Sequence, residues 1–184
     1  MRRYILTGAP GAGKTSILQI LAARGYPVVA EAATYVIAAE QARGVAEPWQ
    51  DPVFIDKIIQ LQRIRQLGQP DGDQPGSVEF YDRSPVCTLA LARYVGFEPS
   101  AVLAAELERI LEQEIYQRKV FFIRPLGFIE PTAARRISYE ESLRFEQIHE
   151  AIYASQNFRL IDVNPGPPEA RAAFILDQLA EWAD

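Results

Sequence analysis

The chain has 184 residues, of which 48% are hydrophobic and 23% are charged, and its formal net charge is −5. This composition is typical of a globular domain with one core and excludes disordered and fibrous classes. The acidic balance disfavours nucleic acid or an anionic membrane as the main partner, because both are normally bound by basic surfaces.

Short apolar runs alternate with amphipathic segments along the chain. The runs predict five strands, at 4–7, 27–30, 78–81, 120–123 and 158–163. The amphipathic segments predict seven helices, at 13–24, 32–43, 52–67, 85–96, 100–114, 138–154 and 168–182. Ser84 is expected to cap one helix, and Ser138 with Glu141 forms a capping box for another. The alternation predicts an α/β fold, with a five-stranded parallel sheet flanked by helices in three layers.

The segment after the first strand matches the phosphate-binding P-loop pattern G-x-x-x-x-G-K-[ST] in full. It consists of Gly8, Ala9, Pro10, Gly11, Ala12, Gly13, Lys14 and Thr15, followed by Ser16. Small residues allow backbone N–H groups to converge on phosphates, and the next helix directs its positive end at the same anion. Lys14 would bind the β- and γ-phosphates, and Thr15 would bind magnesium. The pattern predicts binding of ATP, or another nucleoside triphosphate, with Mg²⁺.

A second acidic position lies at the end of the predicted third strand, at Asp82. Ligands of an open parallel sheet gather at the carboxyl ends of its strands, so we expect Asp82 near the P-loop. Asp82 would hold magnesium or take a proton from an acceptor hydroxyl. Its neighbour is Arg83, at the place where mechanical ATPases of the AAA type usually carry a glutamate that polarises water. This favours phosphoryl transfer over hydrolysis.

The motif Asp82-Arg83-Ser84 resembles the D/E-R-S or D-R-Y element of nucleoside and nucleotide kinases. Together with the P-loop and residues 28–33, it makes the chain similar to the NadR-like predicted ATPases, relatives of ribosylnicotinamide kinase with an AAA-type domain. The resemblance implies a kinase-type sheet in which the P-loop strand neighbours the Asp82 strand. It also implies a role for Glu31 as general base or contact to the substrate hydroxyl. Whether Glu31 or Asp82 is the base stays open.

Positive charges for the transferred phosphoryl group are expected after the fourth strand. We expect one domain over residues 1–184, with a lid-like segment at about 124–154. Arg135 and Arg136 lie in this segment, where a P-loop kinase carries the lid that closes over the triphosphate. Arg124 and Arg144 are further candidates, although Arg144 also has the spacing of an ordinary helical ion pair.

The acceptor pocket is expected between the second and third strands. The candidate contacts are Glu31, Trp49, Gln60, Gln62 and Arg83. Phe54 has helical spacing with other apolar residues and is expected in the core. His149 has no cysteine or further histidine with which to form a metal site, and no histidine partner is evident for the Cys87 thiol. We therefore expect structural roles for both.

The preferred hypothesis is a kinase that transfers the γ-phosphate of ATP to a small hydroxylated, nucleoside-like metabolite. The alternative is an ATPase or GTPase switch that acts on a protein partner. The chain has one cysteine, and no apolar run reaches the roughly 18 residues of a membrane helix, so we expect a cytoplasmic protein without membrane insertion. The acceptor and the oligomeric state stay open.

Overall fold

The computed structural model describes residues 1–68, 77–127 and 138–182. The strands are β1 (Arg2–Thr7), β2 (Val28–Val29), β3 (Val78–Asp82), β4 (Lys119–Ile123) and β5 (Arg159–Val163). The α-helices are α1 (Lys14–Ala23), α2 (Ala32–Ala42), α3 (Val53–Leu67), α4 (Pro85–Val95), α5 (Ala101–Glu112), α6 (Tyr139–Ser155) and α7 (Pro168–Glu181). A short 3-10 helix covers Pro48–Gln50. None of these described helices is long and apolar enough to cross a bilayer.

The five strands form one parallel sheet in the order β2-β3-β1-β4-β5. β1 pairs with β3 from Arg2 opposite Val78 to Leu6 opposite Asp82. The predicted fold class and the predicted pairing of these two strands are therefore confirmed. β3 lies on one side of β1 and β4 lies on the other, so the strand order changes direction at β1. At such a point a crevice opens at the carboxyl end of the strand.

Helices cover both faces of the sheet. Successive strand residues point to opposite faces, and β1 shows this directly. Tyr4 and Leu6 pack in a core with α1 and α7, whereas Ile5 packs in a second core with α2, α3, α4 and α5. Burial on both faces explains why the strands appear in the sequence as continuous apolar runs rather than as an alternating pattern.

Two predicted helix caps have different outcomes. Ser138 and Glu141 form the predicted capping box at the start of α6. Ser84 occupies the N-cap position of α4, but the predicted cap is wrong, because its side chain makes no capping hydrogen bond. The Ser84 hydroxyl instead lies 2.9 Å from the Tyr153 hydroxyl, which also lies 3.0 Å from the Cys87 thiol. A buried polar contact with α6 therefore replaces the local cap.

Candidate active site

A cavity of about 610 Å³ opens at the carboxyl edge of β1 and β3. Most residues that the sequence singled out line it: Pro10, Gly11, Gly13, Lys14, Thr15, Ser16, Glu31, Trp49, Asp82 and Arg83. Ala9 and Ala12 of the P-loop are buried beneath this surface. The fold thus brings the P-loop, the end of β3 and the start of α2 together around one space.

The backbone of the P-loop requires glycine at both of its ends. Gly8 has a φ of +129°, and a Cβ at this position would lie 2.3 Å from the backbone oxygen of Ile123 in β4. Gly13 has a φ of +87° and precedes α1, which begins without a side-chain cap. No side chain therefore caps the first N–H groups of α1, and a helix start of this kind can bind an anion.

Lys14 is the buried cation of the P-loop. Its Nζ donates hydrogen bonds to the backbone oxygens of Gly8 at 3.1 Å and Ala9 at 2.9 Å. Burial and the nearby charge of Arg83 lower the pKa of Lys14 to about 8, although Asp82 and Glu31 act in the opposite direction. The ammonium group is thus held across the loop and titrates close to neutral pH.

Glu31 and Arg83 form an ion pair inside the cavity. The Arg83 Nε donates to the Glu31 Oε1 at 2.5 Å, and the Thr34 hydroxyl donates to the Glu31 Oε2 at 2.8 Å. Arg83 has a φ of +71°, a left-handed conformation that is uncommon for a residue with a Cβ. Such backbone strain clusters at functional sites.

The ion pair keeps the Glu31 carboxyl charged. Burial by itself would raise the pKa of Glu31, but the charges of Arg83 and Lys14 and the hydrogen bonds from Thr34 and Arg83 outweigh it. The pKa of Glu31 therefore lies below its ordinary value. At neutral pH this side of the cavity presents an ionised carboxylate with a fixed orientation.

Thr15 and Asp82 are the residues that could hold magnesium. Both line the cavity beside Lys14. Mg²⁺ prefers oxygen ligands and is usually held by one or two carboxylates together with phosphate oxygens and water. Within the described residues, no group of three or more His, Cys, Asp or Glu side chains could hold a metal ion. One hydroxyl and one carboxylate fit an ion that is bound mainly by a triphosphate.

The part of the cavity away from the P-loop has apolar and aromatic walls. They are formed by Ile37, Trp49, Phe54, Ile58, Leu91, Tyr94 and Phe145. The rings of Tyr94 and Phe145 pack with their centroids 4.7 Å apart. Gln62 is the amide in this wall, and its Oε1 accepts a hydrogen bond from the Thr88 hydroxyl at 3.0 Å. We refer to this part as the apolar compartment.

The predicted contact Gln60 is wrong, and Gln62 lines the cavity in its place. Gln60 is exposed and does not belong to the cavity wall. The reason is helix phase, because two residues correspond to about half a turn of α3. Gln62 lies one turn after Ile58, which itself follows Phe54 by one turn, and all three line the cavity. The apolar spacing of α3 could therefore have separated the two glutamines.

The arginines proposed for the lid differ in their positions. Arg135 and Arg136 lie outside the described residues, so their roles stay predictions. Arg144 is exposed and does not line the cavity. Arg124 does not line the cavity either, and its guanidinium forms ion pairs with Glu146, Glu150 and Asp162. These partners hold Arg124 against α6 and β5.

A family model described as an AAA domain matches residues 3–171. The chain belongs to this family. Among curated proteins, none matches this AAA domain. The narrower resemblance to NadR-like ATPases stays a prediction.

Solved structures of similar fold include deoxyadenosine kinase from M. mycoides. Its structure with the products dCMP and a flexible dCDP bound has a TM-score of 0.59 and 14% identity, over 97% of this chain and 99% of that one. Its structure with bound dATP has a TM-score of 0.54 and 12% identity, again over 97% and 99% of the two chains. At this low identity the comparison shows that the AAA domain shares the fold of a nucleoside kinase.

His149 of the AAA domain contacts the site, which the sequence did not indicate. It is fully buried on α6, and its Nδ1 donates to the backbone oxygen of Phe145 at 2.9 Å. Its Nε2 is then an acceptor and lies 3.4 Å from the Arg83 Nη1. The structural role expected for His149 therefore includes contact with Arg83 of the candidate site, which the sequence places 66 positions away.

The stability of the AAA domain should fall in acid partly because of His149. Burial and the Arg83 charge lower its pKa to about 3, against 6.5 ordinarily. Below pH 6.5 the unfolded chain takes up a proton that the folded chain does not, so the free energy of unfolding decreases as the pH falls. Between pH 8 and pH 5 this contribution is about 2 kcal/mol. Urea unfolding across this range should show a correspondingly weaker pH dependence for His149→Gln.

Arg83 and Glu31 stay charged between pH 5 and pH 8, because the pKa of Arg83 is raised and that of Glu31 is lowered. Lys14, with a pKa of about 8, begins to lose its proton only at the upper end of this range. Since Lys14 is present in both proteins, the difference between their pH profiles reports the imidazole. Glutamine can donate to Phe145 and accept from Arg83, which preserves the neutral contacts. Parallel pH profiles for the two proteins would contradict the assignment.

Proposed function

We propose that this AAA domain is a kinase that transfers the γ-phosphate of ATP, or of another nucleoside triphosphate, to a hydroxyl group of a small nucleoside-like acceptor. The observation that carries this proposal is the division of one cavity into a P-loop end and an apolar compartment large enough to suggest a second substrate, with Glu31 and Arg83 also in the cavity wall. A cavity that serves only hydrolysis needs room for no more than water beside the γ-phosphate, whereas this cavity has a second compartment. The shared fold with deoxyadenosine kinase supports a nucleoside-like acceptor.

The cavity residues fit separate roles in an in-line phosphoryl transfer. Lys14 would bind the β- and γ-phosphates, and Thr15 and Asp82 would hold magnesium, which supplies neutralising charge when it is bound. Arg83 would stabilise the charge on the transferred group. Glu31 would accept the proton of the attacking hydroxyl, because it is ionised and held in place. The lid role of Arg135 and Arg136 belongs to the same proposal.

The charges in the cavity wall favour an acceptor without a phosphate group. Among the described residues that line the cavity, Lys14 and Arg83 are the cationic ones, and Arg83 is paired with Glu31. The wall also contains Glu47 and Glu141. A phosphorylated acceptor would need cations to offset its charge, whereas a nucleoside needs apolar surface and a few polar contacts.

The test is transfer of labelled γ-phosphate from ATP to a panel of nucleosides and to the matching nucleoside 5′-monophosphates. We expect a labelled monophosphate product from at least one nucleoside, with kcat/KM at least about tenfold above that of the matching monophosphate. Without an acceptor, the release of labelled phosphate to water should be slower than transfer to the best nucleoside. The reason is that Arg83 stands where a water-polarising glutamate would be. Transfer to water alone, or nucleotide-controlled binding of a protein partner without transfer, would favour the switch instead.

A matched pair of glutamines on α3 tests where the acceptor binds. Gln62→Ala should raise the KM of the acceptor by about tenfold and leave the KM of ATP unchanged, because it removes a half-buried amide from the wall of the apolar compartment. Gln60→Ala, on the exposed side of the same helix, should leave both values unchanged. Equal effects of the two substitutions would contradict this position of the acceptor.

A further inference from the structure

Arg171 on α7 contacts the underside of the P-loop. Its guanidinium donates to three backbone oxygens, those of Ala12 at 2.7 Å, Arg124 at 2.8 Å and Val163 at 3.3 Å. The first belongs to the P-loop, and the other two lie at the carboxyl ends of β4 and β5. Arg171 is 4% exposed and does not line the cavity, so a bound molecule in the cavity would not touch it.

The charge of Arg171 is buried without a carboxylate to offset it. Its three acceptors are neutral carbonyl groups, and no described carboxylate lies within ion-pair distance of it. By contrast, Arg83, Arg109 and Arg124 each pair with a glutamate. Burial lowers the pKa of Arg171, with no negative group acting in the opposite direction. A guanidinium nevertheless stays protonated, so its position retains a costly positive charge.

The position of this charge is significant because of the peptide group that it contacts. Ala12 C=O and Gly13 N–H belong to the same peptide bond, and an ideal Cβ on Gly13 would lie 3.2 Å from the Arg171 Nη1. A charged donor on the carbonyl polarises the peptide and makes its N–H a stronger donor. That N–H belongs to the loop that would surround the phosphates.

We propose that Arg171 is a positioning residue for phosphate binding, which acts through the P-loop and not by contact with the ligand. It fixes the Ala12–Gly13 peptide and places an uncompensated positive charge behind the loop. A polyphosphate in front of the loop supplies the missing negative charge. The effect of Arg171 on affinity should therefore increase with the number of phosphates. This inference rests on the nucleotide binding of the proposed function but not on transfer to an acceptor.

The variants Arg171→Lys and Arg171→Gln separate charge from hydrogen bonding, since both retain a donor for Ala12 and only lysine retains the charge. The dissociation constants of ATP, ADP and adenosine are measured by calorimetry, together with the melting temperature. We expect Arg171→Gln to weaken ATP binding by about tenfold or more, ADP binding less, and adenosine binding less than twofold. Arg171→Lys should remain within about threefold of the wild type for ATP.

Arg118 provides a matched control, because it directly precedes β4 and therefore lies at the end of the sheet away from the P-loop. Its guanidinium also donates to backbone oxygens, those of Gln156 at 3.1 Å and Leu111 at 3.5 Å. Arg118→Gln should lower the melting temperature without changing the affinity for ATP. Such a result shows that the loss in Arg171→Gln is specific to the P-loop.

Three results would overturn the role of Arg171. The first is an unchanged ATP affinity in Arg171→Gln, the second is an equal loss in the glutamine and lysine variants, and the third is an equal loss for ATP and adenosine. If the wild type binds ATP but phosphorylates no acceptor, the kinase proposal fails while the Arg171 proposal stands. If the wild type binds no phosphorylated nucleotide, both fail.

Discussion

Glu31→Gln is expected to lower the kcat of phosphoryl transfer by about 10²–10⁴-fold and to leave ATP affinity within about threefold. Glutamine can still accept the hydrogen bond from Arg83, but it cannot take a proton from the acceptor hydroxyl. The contacts that would bind the triphosphate, at the P-loop and Lys14, are unchanged. Steady-state kinetics with a saturating acceptor gives the change in kcat, and calorimetry with ATP gives the affinity.

Two further carboxylate variants make this test specific. Glu40→Gln is a matched control on α2, the helix that Glu31 precedes, because Glu40 pairs with Lys57 and Arg43 outside the cavity. It should leave kcat unchanged. Asp82→Asn should chiefly raise the magnesium concentration needed for activity. If Glu31→Gln retains its rate while Asp82→Asn loses it at saturating magnesium, Asp82 is the base and Glu31 holds Arg83 in position.

Lys14→Met is expected to lower kcat/KM for ATP by about 10³-fold. The substitution keeps the length of the side chain but removes the ammonium group that lies on the Gly8 and Ala9 backbone oxygens. The loss should appear both in the ATP dissociation constant and in kcat, since the charge on the γ-phosphate changes during transfer. Lys57→Met is the matched control, because Lys57 pairs with Glu40 away from the cavity and should leave both values unchanged.

The pH dependence of ATP affinity gives a second measure of Lys14. With a pKa of about 8 in the free protein, the side chain loses its charge as the pH rises above this value. Bound phosphates favour the charged form, so ATP affinity in the wild type should weaken between about pH 8 and pH 9.5. This decrease should be absent in Lys14→Met. A wild-type affinity that is constant over this range would contradict the assignment.

The P-loop could be predicted because all of its determinants are adjacent in the chain. Gly8 and Gly13 mark the required left-handed positions, and an apolar strand and an amphipathic helix flank them. The pairing of β1 with β3 followed from the resemblance to kinases. The capping box of Ser138 and Glu141 was equally predictable, since both partners lie within one helical turn.

Side-chain directions were less predictable than elements. Gln60 and Gln62 are equivalent in composition, and the phase of α3 against the sheet decides which one enters the cavity. Likewise, Ser84 followed by Pro85 is a typical sequence for the start of a helix, yet the Ser84 hydroxyl contacts Tyr153, 69 positions away. The competition between a local cap and a distant partner depends on where α6 packs. That position is decided by the assembled core.

The sequence by itself determined the P-loop, the alternation of strands and helices and the presence of Asp82-Arg83 at the carboxyl end of a strand. These follow from contiguous motifs and from hydrophobic periodicity, which act over a few residues. Only the tertiary structure decided which charges are neutralised. It pairs Glu31 with Arg83, retains Arg124 among three carboxylates and leaves Arg171 on carbonyl oxygens alone. Electrostatic pairing depends on distances of a few ångströms between groups far apart in the chain, and folding alone brings them to those distances.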